Sequence, residues 1–378
     1  ATDVGAYNVA VGGQAMLNNV DGSRNTALGY GTLQNMDPAS AADTYNIAVG
    51  FNAGLSVTTG VRNTIMGGLA GDALTTGSYN TALGYNALSA EDEHGYNVAI
   101  GGRALAVQNA GAHAYNVAVG WQAGYQVSTG VSNTLIGGLA GDALTTGYGN
   151  TAIGYSALGT EDSGGQNTAI GYQALALLDA GASGLNTSVG YNSGYSMTTG
   201  TSNSLLGDRA GYSMTQGTHN TFLGAYSGFG VTTGGGNVAI GFEALYAEDT
   251  HGTNVAIGYK ALKAQNAGAN AYNVAIGYEA GNDISTGTYN TLIGGKAGDS
   301  LTTGSYNVAL GYDALQYEDA YGRNTAIGYL ALTTQRAGTD GYNTAVGFEA
   351  GKVISTGTYN TITGALAGDA LTTGNYNV

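Results

Sequence analysis

The chain has 378 residues, of which 67 are Gly, one is Pro and none is Cys, and ten basic residues against 25 acidic ones give a net charge of −15. Glycine without a three-residue period excludes collagen, and 43% hydrophobic residues returning in fixed slots argue against disorder. Disulfide staples are unavailable, no apolar run approaches the ~20 residues of a membrane-spanning helix, and so acidic a balance argues against a nucleic-acid partner, which is bound by neutralising phosphates with Lys and Arg.

The chain opens at Ala1 with no visible signal peptide, so it reads as a processed protein or a segment of something longer. From Asn8 to Asn377 one phrase repeats over twenty-one intervals. Sixteen intervals are 17 residues, four are 19 (after Asn97, Asn167, Asn254 and Asn324) and one is 21 (after Asn25). Residues 1–378 are therefore expected to form a single repeat array. From Asn8 to Asn360 each Asn is followed usually by Thr or Val, usually Ala, an aliphatic residue (Thr363 excepted) and Gly. This alternation has period two and is rich in β-branched residues, which predicts a short strand ending at a Gly bend. A second segment, exemplified by Ala70–Gly77, is predicted as a second short strand closed by Gly. Two strands and two bends make one turn of an all-β, parallel β-solenoid (a β-roll) of about 21 coils with 17–19 residues per coil. Ile153 and Ile170 are expected to stack in one inward column. So much Gly and β-branching excludes a helical repeat.

A longer rhythm lies above the coil. Coils beginning at Asn63, Asn133, Asn290 and Asn360 carry Gly-Asp-x-Leu-Thr-Thr-Gly. Glu-Asp pairs recur at Glu91-Asp92, Glu161-Asp162, Glu248-Asp249 and Glu318-Asp319, each followed by a 19-residue coil. The pairs are 70, 87 and 70 residues apart, a four-coil super-repeat with one extra coil near Asn203–Asn237. Carboxylates on adjacent coils would sit ~5 Å apart and repel, whereas every fourth coil separates them by ~19 Å, past the ~8 Å screening length. These pairs are expected to be solvated surface.

The Asn residues, among them Asn133, Asn150, Asn167 and Asn186, are read as a structural ladder of amide-to-amide hydrogen bonds. Glycosylation would need N-x-S/T, where the sequence mostly offers N-T-A or N-V-A. No enzyme is read here: no Cys–His pair, P-loop or nucleophile elbow occurs, and no catalytic, cofactor-binding or metal residue is assigned. His94 and His251 follow two acid pairs and raise a metal reading, but Gly164 and Tyr321 hold that place in the other two loops. The aromatic residues carry more. One column follows the bend Gly and includes Trp121, Tyr155, Tyr172, Tyr191, Tyr259 and Tyr278, interrupted by Gly68, Gly138 and Gly295. A second column precedes the Asn, from Tyr79, Tyr96 and Tyr115 to Tyr376. Such ladders can stack on sugar rings, or pack between chains of an oligomer, and interchain packing is preferred because one coil's small core buries little on its own.

The phrase N-T-A-I-G-Y-x-A-L at seventeen-residue spacing resembles the repeats of phage tail fibres and related bacterial surface fibres. Its core, N-T/V-A-I-G, is similar to the head repeat of YadA-type trimeric autotransporter adhesins. The resemblance spans essentially the whole chain. It implies a parallel β-roll, left-handed in the adhesin heads, assembled as a homotrimer and often followed by a self-cleaving chaperone domain. On that basis the expected function is a structural and adhesive segment of a longer extracellular fibre, on a virion or a bacterial surface, that contacts a cell-surface glycan or receptor. The alternatives are a glycan- or surface-binding solenoid using aromatic or Thr ladders, and a self-polymerising filament subunit.

Overall fold

The computed structural model describes residues 5–378. The chain divides into two compact units, ending and resuming at Asn186 and Thr187. Each is a parallel β-solenoid, ten ladder strands in the first and eleven in the second, giving about 21 turns and no helix among the described residues. Every ladder strand has three residues. Strands pair residue for residue with the coil before and the coil after, so Thr151–Ile153 lies beside Thr134–Ile136 on one edge and Thr168–Ile170 on the other. The 21-residue interval carries one additional two-residue pairing, Gly22–Ser23 with Ala42–Asp43.

The second predicted strand is not one. Residues 70–77 form turns, because alternate residues such as Leu69 (φ 58°) and Gly71 (φ 49°) leave the extended region a strand requires. Coil-to-coil hydrogen bonding nonetheless continues through this segment: Gly54 N–H donates to Ala70 O at 3.0 Å, Ser56 to Asp72 at 3.1 Å and Thr58 to Thr75 at 2.9 Å. One strand and a hydrogen-bonded turn segment thus close each coil. Gly154 ends its strand at φ 137°, where a Cβ would lie 2.2 Å from Gly171 O, so glycine is the residue that fits.

Alternation also runs with the opposite sense. Ile153 and Ile170 do stack in register, but they are half-exposed on the outer face, while Ala152 and Ala169 are fully buried. The reason is parity. Asn150 and Ala152 share one side of the strand, and burying the Asn amide carries the Ala inward and the Ile outward.

Inside, volume is exchanged between two walls. Where the strand's central residue is large (Ile65, Leu135, Leu205, Phe222, Leu292, Ile362), the residue six further on is Gly. A Cβ on Gly141 would sit 2.8 Å from Leu135 Cδ2 and from Leu144 Cδ1. In coils with Leu at that position, such as Leu158 opposite Ala152, the strand residue is always Ala. Leu158 accepts a left-handed backbone (φ 53°), a strained choice for a non-glycine residue, in order to fill the coil. This complementarity is itself a four-coil rhythm. Ala152→Leu should therefore destabilise the protein by about 1–3 kcal/mol through overpacking. Adding Leu158→Gly should recover part of that loss, a coupling that a double-mutant cycle in denaturant will measure and that strictly additive losses would contradict.

Candidate functional site

Each ladder strand follows an Asn, buried in every case but Asn8, whose bonds differ from a simple amide ladder. Asn133 Oδ1 accepts the main-chain N–H of Asn150 at 3.0 Å, Asn150 Oδ1 accepts that of Asn167 at 3.0 Å, and Asn167 Oδ1 accepts that of Asn186 at 3.2 Å. The side-chain Nδ2 of most 17-residue coils turns instead to a carbonyl fourteen residues on, as from Asn133 to Gly147 O at 2.8 Å and from Asn150 to Gly164 O at 2.9 Å. Direct amide-to-amide contacts occur in some coils, among them Asn186 Nδ2 to Asn167 Oδ1 at 3.3 Å. The amide therefore ties a coil both to its neighbour and to its own far end.

The acid pairs are split, and the expectation of two solvated carboxylates fails for the Glu. Glu91, Glu161, Glu248 and Glu318 are fully buried, and the Asp that follows each points outward. Glu161 shows why: Oε1 accepts Gly164 N–H at 2.7 Å and Oε2 accepts Ala180 N–H at 3.1 Å, from the loop of the next coil. Ala110 and Ala337 occupy the equivalent loop positions near Glu91 and Glu318, but Oε2 of each of these Glu makes no hydrogen bond. That next coil is always the 19-residue one, whose two extra residues displace the carbonyl its Asn would otherwise use. Asn254 Nδ2 donates to Glu248 Oε2 at 3.3 Å instead, while the Nδ2 atoms of Asn97, Asn167 and Asn324 have no protein partner. The Gln of the long coil serves the following Asn: Gln108 Oε1 accepts from Asn116 Nδ2 at 2.7 Å, and Gln265 from Asn273 at 2.7 Å. Glu248, Gln108 and Gln265 thus act as extra amide acceptors in and beside the longer coils.

Three loops gather cation-ligand atoms within 4.8 Å: Glu91, Asp92 and His94; Glu248, Asp249 and His251; and Glu161, Asp162 and Asp179. The inward Glu already accepts backbone N–H groups in each, His94 N at 3.2 Å and His251 N at 3.4 Å for the first two. What is left falls short of the four ligands of a structural zinc site or the six to eight oxygens of a calcium site. In the fourth loop Asp319 is engaged by Arg336 Nη2 at 2.7 Å, which holds its carboxyl below the usual range.

The aromatic columns lie on the surface. Tyr155 and Tyr172 stack with centroids 5.6 Å apart, and Tyr259 and Tyr278 at 5.3 Å with planes 5° apart. The column before the Asn does the same, Tyr289 on Tyr306 at 5.1 Å. Arg209 lies over the Tyr191 ring at 5.4 Å. Ring faces are therefore largely covered by neighbours in the same chain, and edges and hydroxyls reach solvent. Trp121 departs from this, 59% exposed with Gly102 and Gly138 as its column neighbours. Compared with protein-family models, curated proteins and solved structures, the chain matches none of them.

A third ladder escaped the sequence reading: Tyr195, Tyr212, Phe229 and Tyr246, stacked at 5.0–5.4 Å, nine residues after successive Asn. Its signal is four rings at intervals of 17, hidden because the slot holds other residues elsewhere. The outer strand face pairs a Thr, Ser, Val or Ile position with a mostly aliphatic one. Val189, Leu206, Thr221 and Leu223 line a shallow depression of about 260 Å³ there.

Burial pushes the carboxyls of Glu248 and Glu318 up to about 7. An acid whose folded pKa exceeds its unfolded value of 4.5 binds its proton more tightly when folded, so its contribution to stability is present at low pH and is lost as pH rises from 4.5 to about 7. Calorimetry should show Tm falling between about pH 5 and about pH 8, with Glu248→Gln and Glu318→Gln flattening the slope. The variants separate this effect from general repulsion in a chain of net charge −15. EDTA should leave Tm unchanged; a chelator-induced fall would assign the carboxylates to a cation.

Proposed function

We propose that the chain is a structural and adhesive segment of an extracellular fibre, on a phage tail or a bacterial surface, assembled as a parallel homotrimer that contacts a cell-surface receptor. The observation that supports this reading best is the outer strand face. It carries mostly Thr or Val at one position and, Thr363 apart, Ile, Leu, Val or Met at the other, with Met66 44%, Leu206 47% and Leu310 43% exposed. Exposed aliphatic surface of this kind marks an interaction site. A second copy in parallel register is its natural complement, because the face repeats at the same interval along both chains and carries almost no charge to pair with a foreign partner. The Tyr after each bend flanks this face and adds its exposed edge to the contact.

The resemblance to fibre repeats points the same way, as do the absence of any recognisable catalytic motif and the devotion of buried polar groups to the scaffold. The rival, a solenoid that binds glycans by stacking them on its ring ladders, is weaker because the ladders cover their own faces. Replacing Leu206 and Leu223 together with Lys should convert the assembled segment to monomer while leaving its circular dichroism unchanged, since each Lys would bury an unpaired charge. Sedimentation equilibrium reads the mass. A wild-type segment that is a stable monomer would overturn the trimer.

A further inference from the structure

The super-repeat is broken once, by the extra coil near Asn203–Asn237, and the third aromatic ladder runs through that break. The ladder ends at Tyr246. One face of its ring is covered by Phe229 at 5.0 Å, and the next coil supplies Lys263 instead of another ring. The Lys263 ammonium lies over the other face, and the ring edge borders a groove of about 390 Å³ lined by Tyr246, Lys260, Lys263, Glu279, Asn282 and Asp283. That volume falls within the ~300–1,000 Å³ of small-ligand clefts. Lys263 Nζ stands 5.9 Å from the Tyr246 centroid and 2.7 Å from Glu243 Oε2. Asn282 Nδ2 donates to Asp283 Oδ1 at 2.7 Å, leaving Asn282 Oδ1 without a partner.

The scaffold does not ask for these residues. In the equivalent coils of the other super-repeats, Ser89, Gly159 and Gln316 stand where Tyr246 does, and Ala106, Ala176 and Thr333 stand where Lys263 does. Gln126, Ser196 and Val353 take the place of Asp283. The fold is built equally well without the ring, the ammonium and the carboxylate. Their convergence at one groove needs a reason other than packing.

We infer that this groove is a binding site for a neutral pyranose, held with its C–H face against the edge of the Tyr246 ring and its hydroxyls between Lys260 and Lys263 on one side and Glu279, Asn282 and Asp283 on the other. The mixed charge selects the ligand class. An anion would meet Glu279 and Asp283, and a cation would meet the two Lys, whereas hydroxyls both donate and accept and so satisfy the two sets at once. An aromatic edge beside an ammonium, with a few convergent polar groups, is a common composition of such a cleft. The inference deepens the adhesive part of the proposed function and rests on it for the source of the sugar, but it does not need the trimer.

Saturation-transfer NMR on the full chain tests it, with methyl glycosides of glucose, galactose and mannose as neutral probes and sialic acid as the anionic one. At least one neutral glycoside should bind, and Tyr246→Ser should weaken it at least ~10-fold, as should Lys263→Ala. The Ser and Ala of sibling coils show that both substitutions are compatible with the fold. Tyr329→Ser, whose ring is covered on both faces by Tyr312 and Phe348, should leave binding unchanged. No binding of any neutral glycoside, equal binding by Tyr246→Ser, or preference for sialic acid would overturn the site. Mass measured on the same sample reports separately on the fibre reading, so either can fail alone.

Discussion

Nearly every coil starts by burying an amide, and the architecture depends on how that amide is bonded. A buried polar group left unpaired costs about 1–3 kcal/mol, so an Asn at 0–1% exposure is best accommodated where both ends of its side chain find partners, as in most 17-residue coils but not at Nδ2 of Asn97, Asn167 and Asn324. Asn150 does so through Asn167 N–H in the next coil and Gly164 O at the close of its own. The first bond sets the stacking register and the second sets the circumference, which is why the interval is held at 17 with so few exceptions. Where the interval grows to 19, the closing carbonyl is lost and a Glu from the preceding coil is drawn inside, at the expense of desolvating a carboxylate.

Parity carries the same constraint outward. With Asn inside, the small residue two places on is inside too, and the apolar residue that follows faces out. The interior is then filled by trading bulk between strand and turn, Leu135 against Gly141 or Ala152 against Leu158. The exterior is left with aliphatic strands and stacked rings that the single chain does not need. Association through the strand face and ligand contact at the end of a ladder both use positions the scaffold leaves free.

Much of this was legible in the sequence. The period alone specified parallel coils in register, and the strand after each Asn lies where the alternation placed it. The sense of the alternation was not legible from hydrophobicity, since Ile looks more buried than Ala; combined with the Asn ladder, parity alone would have put Ala152 inside. The turn segment read as a strand because Ala70–Gly77, like the segment after each Asn, closes on a Gly, although its Gly, Asp and Ala are depleted in strands and Leu69 just before it is left-handed. Glu161 looked like a solvent-facing acid, and only its fixed position before a 19-residue coil hinted at structural work. The groove at Tyr246 was hidden because it is a local departure from the repeat, and periodic reasoning sees what recurs.

The central claim is that the Asn side chain couples neighbouring coils. Residue-resolved hydrogen exchange on Asn150→Ala tests it most directly. The variant leaves Asn167 N–H and Gly164 O without partners, so the Asn167 amide should exchange at least ~10-fold faster, with the effect fading over neighbouring coils and absent at Asn360. An Asn167 amide that exchanges at the wild-type rate in this variant would contradict the account.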